Sequence, residues 1–352
     1  MQIKQARVYI REAKPQSRAV RNVRGTMEKV PPGLNGMFTH SGGIRGQRPD
    51  EVIDYPDETL YPTYHARVRL ITDGPLDAYA GLVNGFHLDE VEMEAWKFQA
   101  DVAPMLIGVD AFDREYVWQR LWYAQRFLRV SRRTVGMVDD MLWNLASRHA
   151  KQPLCKLLGQ CRDRVPAYRN IGGGTIDELV ASAVEHYTYS EAVKVGRALE
   201  RLNVRWIEEP LQDYDVMGLR KLCATLDLPV MALEWIGYIG GQPFNTAAFL
   251  ALEATDIARN RGVGITGQIK QAQLCESFGV QCHGGNHHVV LATSNDPLVE
   301  AGRNFGPLPT DVALTFQGRS YLEDGCMTMA YGDDPVIEPD WDEVERNALA
   351  II

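Results

Sequence analysis

Two short segments decide the fold: VRWIEEP at 204–210 and LPVMALEW at 228–235. Each is an apolar run that ends in a carboxylate, Glu208 in the first and Glu234 in the second, and a helical pattern separates them. Further short apolar runs alternate with helical patterns throughout 165–302. This alternation is typical of βαβ units, which build a parallel sheet, and so many units in succession favour a barrel.

The composition is that of a globular protein, with 352 residues, 45% hydrophobic and 24% charged. A net charge of -9 argues against nucleic acid as the main partner. The N-terminal strand pattern carries charges and has no apolar signal core, and no apolar run is long enough to span a membrane. The six cysteines form no CxxC pair, so we expect them to be reduced. We therefore predict a cytoplasmic protein with neither nucleic acid nor membrane as a partner.

Three predicted strands end in residues that can carry chemistry, Glu208, Glu234 and His283. Chemistry in parallel α/β folds gathers where the strands end, so we expect these side chains to converge. Converging carboxylates repel each other unless a cation lies between them, and hard oxygen ligands suit Mg²⁺. A single Glu is more often a surface charge, and a lone His is more often structural. Two carboxylates at equivalent strand ends form the stronger pattern.

The stretch WIEEPLQDYD, with a second strand-end Glu 26 residues after Glu208, resembles the mandelate racemase and muconate lactonising branch of the enolase superfamily. GITGQIKQAQLCESFGVQCHGG and VEAGRNFGPLP resemble later parts of the same family. The resemblance covers nearly the whole chain. It implies an α/β fold, a (β/α)7β TIM-like barrel with an α+β capping domain. The implied divisions are a cap at 1–160, a barrel at 161–310 and a return to the cap at 311–352.

The resemblance also implies roles for four strand-end residues. Glu208 and Glu234 would bind one Mg²⁺, which stabilises an enediolate formed by loss of the proton alpha to a carboxylate. His283 would act as base or acid. Glu300 would hydrogen-bond the substrate carboxylate as charge develops, although a surface role for this residue is equally compatible with the sequence.

The surroundings of the site follow from the same resemblance. Glu209 would support the metal ligands, and Asn260 lies near the place of the acidic residue that normally orients His283. A long loop pattern at 15–57 would close over the substrate, and its cations suit a carboxylate-bearing ligand. A solvated basic face is the simpler interpretation for any one of them. The candidate substrate contacts in this loop are Arg18, Arg24 and His40.

Two family motifs have no counterpart, a Lys-x-Lys on the second barrel strand and an Asp-x-Asn on the third. Both would fall near the 186/187 junction, where one helical pattern runs into the next without a strand. We expect that this sequence omits a strand–helix–strand segment of the protein. The alternative is a true deletion, which would expose two strand edges. An intact mass near 39.5 kDa would indicate the deletion and favour a protein without catalysis.

The sequence thus predicts a Mg²⁺-dependent acid-sugar dehydratase. A base removes the proton alpha to the carboxylate, His283 as imidazolium helps the β-hydroxyl to leave, and a 2-keto-3-deoxy acid results. Two alternatives stay open: a racemase or epimerase of a hydroxy acid, and a carboxylate-binding relative without catalysis. The predicted partner is a small sugar acid. The resemblance also implies a homo-oligomer, because members of the family are often symmetric assemblies.

Overall fold

The computed structural model describes residues 1–17, 60–168, 187–234, 243–300, 319–330 and 338–352. Its strands are β1 Ile3–Ser17, β2 Leu60–Thr72, β3 Ala78–Gly85, β4 Arg164–Tyr168, β5 Ile207–Glu208, β6 Val230–Ala232, β7 Ile257–Arg259, β8 Gln281–His283, β9 Val299–Glu300, β10 Arg319–Glu323, β11 Cys326–Ala330 and β12 Ala350–Ile351. Its helices are α1 Leu88–Lys97, α2 Ala103–Leu106, α3 Arg114–Leu128, α4 Arg132–Ala150, α5 Leu154–Leu157, α6 Tyr189–Arg201, α7 Val216–Thr225, α8 Thr246–Ala251, α9 Gly264–Ser277, α10 His287–Ala292 and α11 Trp341–Arg346, and a π-helical turn, Phe98–Val102, links α1 to α2.

The N-terminal part is an antiparallel sheet of order β12-β1-β2-β3, covered by helices. Its strands alternate in burial because successive side chains point to opposite faces. Val8 and Ile10 on β1 and Val68 and Leu70 on β2 are buried in one core with residues of α1, α3 and α4. The strand predicted from the first residues and the strand pair predicted at 65–83 are confirmed, and the chain returns to this sheet through β12.

The second part contains two groups of parallel strands. One is a sheet of order β5-β6-β7-β8, and the other is the parallel pair of β4 with β9. The antiparallel hairpin of β10 and β11 extends the second group through β4. Within the described residues β4 does not pair with β5, so the predicted closed barrel is present as two separate groups of strands. The helix predicted at 175–186 lies outside the described residues, and the missing strand–helix–strand segment stays a prediction.

The two parts are joined where α4 meets the first turn of α9. Asp139 accepts hydrogen bonds from the backbone N–H (2.7 Å) and the hydroxyl (2.6 Å) of Thr266, and Asp140 accepts one from Ile265 N–H (3.1 Å). These are amides that an isolated helix leaves without partners. Gly264 begins α9 at φ 68°, and a Cβ there would lie 2.6 Å from an Asp139 oxygen, so the contact requires glycine.

None of the helices in the described ranges has the length and apolar character needed to cross a membrane.

Candidate active site

Four of the residues predicted from the sequence lie at one edge of the parallel strands. Glu208 ends β5, His283 ends β8, Glu300 ends β9, and Glu234 follows β6 by two residues. The strands are short and buried, and β5 to β8 are parallel in register, so their carboxyl ends face the same way. The structure therefore brings the predicted strand-end residues together, as parallel βα geometry requires.

Arg259, the last residue of β7, lies at the centre of this edge. Its side chain is only 3% exposed. Its Nη2 lies 2.7 Å from a Glu300 oxygen and 3.4 Å from a Glu234 oxygen, and its Nε lies 3.3 Å from a Glu208 oxygen. Its Nη1 donates to the hydroxyl of Tyr168 at 2.6 Å. One guanidinium thus contacts residues from both groups of parallel strands.

The carboxylates around Arg259 differ in their proton affinity. Burial raises the pKa of Glu208, and the positive charge of Arg259 offsets this only in part. Burial also raises the pKa of Glu234, but the positive charges of Arg259 and Arg261 outweigh this effect and hold its pKa below the usual value. Arg261 donates directly to Glu234 and has a quarter of its side chain exposed. Of these two, Glu234 is therefore the carboxylate more firmly held in its ionised form.

Glu209 lies behind this edge and contacts the turn that carries Glu234. It is fully buried, and its backbone is in the left-handed region at φ 48°. Its carboxylate accepts a hydrogen bond from the backbone N–H of Glu234 at 2.9 Å, and the neighbouring Asp213 accepts one from Leu233 N–H at 3.0 Å. Burial, with the added charge of Asp213, raises the pKa of Glu209 well above its usual value. Through these two hydrogen bonds, Glu209 and Asp213 fix the turn that carries Glu234.

His283 lies beside the guanidinium in a buried aromatic setting. Its ring meets Trp206 edge to face, with centroids 5.4 Å apart, and Trp206 meets Tyr168 in the same way at 4.9 Å. Its Nε2 lies 2.9 Å from the side-chain oxygen of Gln281, and its Nδ1 has no hydrogen-bond partner among the described residues. Burial and the positive charges of Arg259 and Arg205 lower the pKa of His283 to about 4.

The lowered pKa keeps His283 neutral at neutral pH, so the imidazolium predicted as the acid would form when the ring takes up a proton. One expectation about the histidine needs correction. Asn260 does not reach its ring: the Asn260 side chain donates to the backbone oxygen of Gln268 at 3.2 Å. Only the Asn260 backbone N–H contacts the histidine residue, at its carbonyl oxygen (2.7 Å), and the ring is oriented by Gln281.

A cleft of about 880 Å³ opens between the N-terminal part and the strand ends. Its floor is the 260–264 segment, with Gly285 and Asn286, and α4 and β3 form its walls. The lining is rich in cations and amides, which suits a ligand with a carboxylate and several hydroxyls. The polar residues that line it are Arg132, Arg133, Asp140, Asn144, Asn260, Arg261, Gln268 and Asn286. Arg261 belongs both to this cleft and to the carboxylate cluster.

The predicted Mg²⁺ does not fit the donor set as it stands. Its two candidate ligands, Glu208 and Glu234, already share the buried guanidinium of Arg259. With the side chains in their present positions around Arg259, no three His, Cys, Asp or Glu residues of the described ranges are grouped so that they could hold a metal ion. A divalent ion placed roughly 4 Å from a guanidinium would be repelled by about 8 kcal/mol at an effective dielectric constant of about 20.

The remaining predicted contacts, Arg18, Arg24 and His40, lie outside the described residues. The sequence interpretation missed Arg259, Tyr168 and Trp206. A signal for Arg259 was present, because TDIAR places a charge at the end of an otherwise apolar strand. Charged side chains are rarely buried without partners, so an arginine at that position already implied acidic neighbours.

Comparison with known proteins identifies the family of this chain. A family model described as Enolase C-terminal domain-like matches residues 149–333. The L-talarate/galactarate dehydratase of Salmonella typhimurium is 25% identical over 186 residues, 39% of this chain and 47% of the relative. The arabinonate dehydratase of Saccharolobus solfataricus is 26% identical over 216 residues, 46% of this chain and 54% of the relative. The matched segment spans about half the length of each of these relatives.

Solved structures extend the likeness to the whole chain. The D-glucarate dehydratase of Agrobacterium tumefaciens, crystallised with magnesium, superposes with a TM-score of 0.70 at 21% identity, covering 99% of this chain and 100% of that one. The L-talarate dehydratase of Polaromonas sp. JS666, in complex with Mg and L-glucarate, gives 0.63 at 18% identity, with 100% and 98% covered. These likenesses imply an α/β barrel with a capping domain. The chain belongs to the enolase superfamily.

Proposed function

We propose that the chain is a hydro-lyase that acts on a hydroxylated carboxylic acid of the acid-sugar class. It removes the proton alpha to the carboxylate, and the hydroxyl on the β-carbon leaves as water, giving a 2-keto-3-deoxy acid. The observation that carries this proposal is the convergence of His283 with Glu208, Glu234 and Glu300 at one edge of the parallel strands. The dehydratases of talarate, galactarate and arabinonate among its relatives support the same class.

His283 is the residue that we assign to proton transfer. A proton on Nε2 pairs with the Gln281 oxygen, which leaves Nδ1 as the basic atom. Since its lowered pKa keeps the ring neutral, His283 can accept the alpha proton at neutral pH. The proton that it takes up can then be returned to the departing hydroxyl, so one residue would serve both steps.

The cleft beside the cluster is the site that we assign to substrate. Arg132, Arg133 and Arg261 would pair with carboxylates, and the amides of Asn144 and Asn286 would bond hydroxyl groups. Arg261 reaches both the cleft and Glu234, so it is the cation best placed to meet the negative charge that develops when the alpha proton leaves. No step here passes through a metal ion.

One observation favours a second candidate, a carboxylate-binding relative without catalysis. In this chain Arg259 pairs with the two carboxylates that would hold the metal, and the Lys-x-Lys motif has no counterpart. Such a protein would still bind sugar acids in the cleft but would release them unchanged. An epimerase would be the third outcome, if a proton is removed and returned without loss of water.

A sugar-acid library distinguishes these candidates. We expect formation of a 2-keto acid, detected as its semicarbazone, from at least one member, and its loss in His283→Asn. Deuterium uptake alpha to the carboxylate without dehydration would indicate an epimerase instead of a dehydratase. If a sugar acid raises the unfolding temperature but shows neither turnover nor deuterium exchange, the result favours the carboxylate-binding protein without catalysis. The intact mass, near 39.5 kDa for these 352 residues, is measured on the same sample.

A further inference from the structure

We propose that Arg259 is a built-in cation that takes the place of a divalent metal ion between Glu208 and Glu234, so that the chain takes up no metal there. This goes beyond the proposed function, because it concerns the resting charge of the site and holds whether or not the chain turns a substrate over.

The first support is the position of the guanidinium. Arg259 ends β7, which lies between β6 and β8, so its side chain enters the cluster from the middle of the sheet. Its contacts come from three directions, β5 through Glu208, the end of β6 through Glu234 and β9 through Glu300. A central position contacted by converging carboxylates is what a cation site requires.

The second support is the number of acidic and polar groups that the guanidinium meets. Nη2 donates to Glu300 and Glu234, and Nη1 donates to Tyr168. Nε lies 3.3 Å from a Glu208 oxygen as an ion pair and has no hydrogen-bond partner among the described residues. A planar guanidinium with five N–H donors can meet several oxygens at fixed angles, which a lysine could not do as well. The side chain is 3% exposed, so these partners meet it where little water reaches.

The third support is charge. Three carboxylates carry negative charges, Glu208, Glu234 and Glu300. Two guanidinium groups carry positive charges, Arg259 and Arg261. The cluster therefore keeps a single net negative charge. An arginine cannot lose its proton in a protein, so its positive charge is permanent. A divalent ion could enter only if the buried guanidinium left, and that would separate a buried cation from its carboxylate partners, which is costly.

Metal binding by three proteins tests the proposal: the wild type, Arg259→Gln, and Arg261→Gln as the matched control. Arg261 also pairs with Glu234, but it lies at the cleft and leaves Arg259 in place. Binding of Mn²⁺ is followed by electron paramagnetic resonance after treatment with a chelator. We expect no tight site in the wild type or in Arg261→Gln, and in Arg259→Gln a site at least about 100-fold tighter.

Thermal unfolding gives a second measurement on the same proteins. Because a ligand of the native state raises the unfolding temperature, Mg²⁺ should stabilise Arg259→Gln and leave the wild type unchanged. Tight Mn²⁺ binding by the wild type that is lost in Glu234→Gln overturns the proposal, and this result does not require Arg259→Gln to fold. A folded Arg259→Gln that binds no Mn²⁺ overturns it as well. Neither result depends on turnover, so it leaves the proposed function to its own test.

Discussion

The sheet of the capping part and the parallel strands of the second part are held in different ways. In the cap, β1 and β2 pair from Ile3 to Ser17, and their inward side chains form one apolar core. In the second part, strands β5 to β9 are two or three residues long, and their ends are connected by side chains around Arg259. Backbone pairing and apolar burial therefore stabilise the cap, whereas the strand ends depend on charge. Removing a single charge should therefore lower the stability of the second part more than that of the cap.

The largest effect expected is on turnover. His283→Asn removes the proton acceptor, so we expect kcat to fall by about 10²- to 10⁴-fold. His65→Asn, at a histidine of β2 in the cap, is the matched control and should leave kcat unchanged. The measurement is 2-keto acid formation on the best substrate of the library. Equal activity of His283→Asn and wild type would show that His283 takes no part in the reaction.

The next effect is on folding at the strand ends. Arg259→Gln leaves three carboxylates without their shared cation, and we expect the free energy of unfolding to drop by about 3–5 kcal/mol without added metal. Arg11→Gln removes the exposed pair with Glu343 in the cap and should destabilise the protein far less than Arg259→Gln, because exposed ion pairs contribute little. Urea unfolding of both variants provides the comparison. Equal losses would contradict the contrast between the two regions.

A somewhat smaller effect is expected in the apolar core of the cap. Leu70 on β2 is fully buried, and Leu70→Ala should cost about 2–4 kcal/mol through lost burial and a cavity. Leu60 lies on the same strand with 65% of its surface exposed, and Leu60→Ala should cost less than about 0.5 kcal/mol. The loss at Leu70 should not change with salt concentration. A salt-dependent loss would show that charge also governs the cap.

The smallest effect per residue is a dependence on pH. His283 and His288 are buried, and burial first of all lowers the pKa of each from 6.5 to about 4. Between these values each of these histidines binds a proton in the unfolded chain but not in the folded chain, so its contribution to stability falls as the pH falls through this window. At pH 5 each histidine should cost about 2 kcal/mol relative to pH 7.

The pH effect is measured by urea unfolding at the two pH values. Other buried groups also titrate in this range, so each histidine is judged by the difference between its variant and the wild type. His283→Asn and His288→Gln should each make the change in stability from pH 7 to pH 5 more favourable by about 2 kcal/mol. A variant whose change with pH equals that of the wild type would show that its histidine is not held neutral in the folded state.

Much of the fold followed from periodicity. The pattern at 190–203 predicted a helix, and α6 spans Tyr189–Arg201 with Thr188 and Glu191 as its capping box. Strand lengths were less predictable, because the run at 204–210 contributes only Ile207–Glu208 to the sheet. An apolar run shows that residues are buried, whereas strand pairing also needs a neighbour, and the sequence does not specify that neighbour.

At the site, the sequence predicted which residues end strands and not what lies between them. Glu208, Glu234 and His283 could be placed because each follows an apolar run. The partners of Arg259 are 25 to 91 residues away in the chain, and only the folded sheet brings them together. Asn260 was placed beside the histidine ring by position, but its side chain turns toward Gln268 because β7 ends one residue earlier.

The contact of Asp139 and Asp140 with the first turn of α9 has a consequence for recombining domains. A cap taken from another protein would bring a different α4 and leave the first amides of α9 without acceptors. Trp118 adds to this link, because its indole donates to the Val263 oxygen at 2.8 Å. A chimera should therefore place its crossover so that α3, α4 and the first turn of α9 are inherited together.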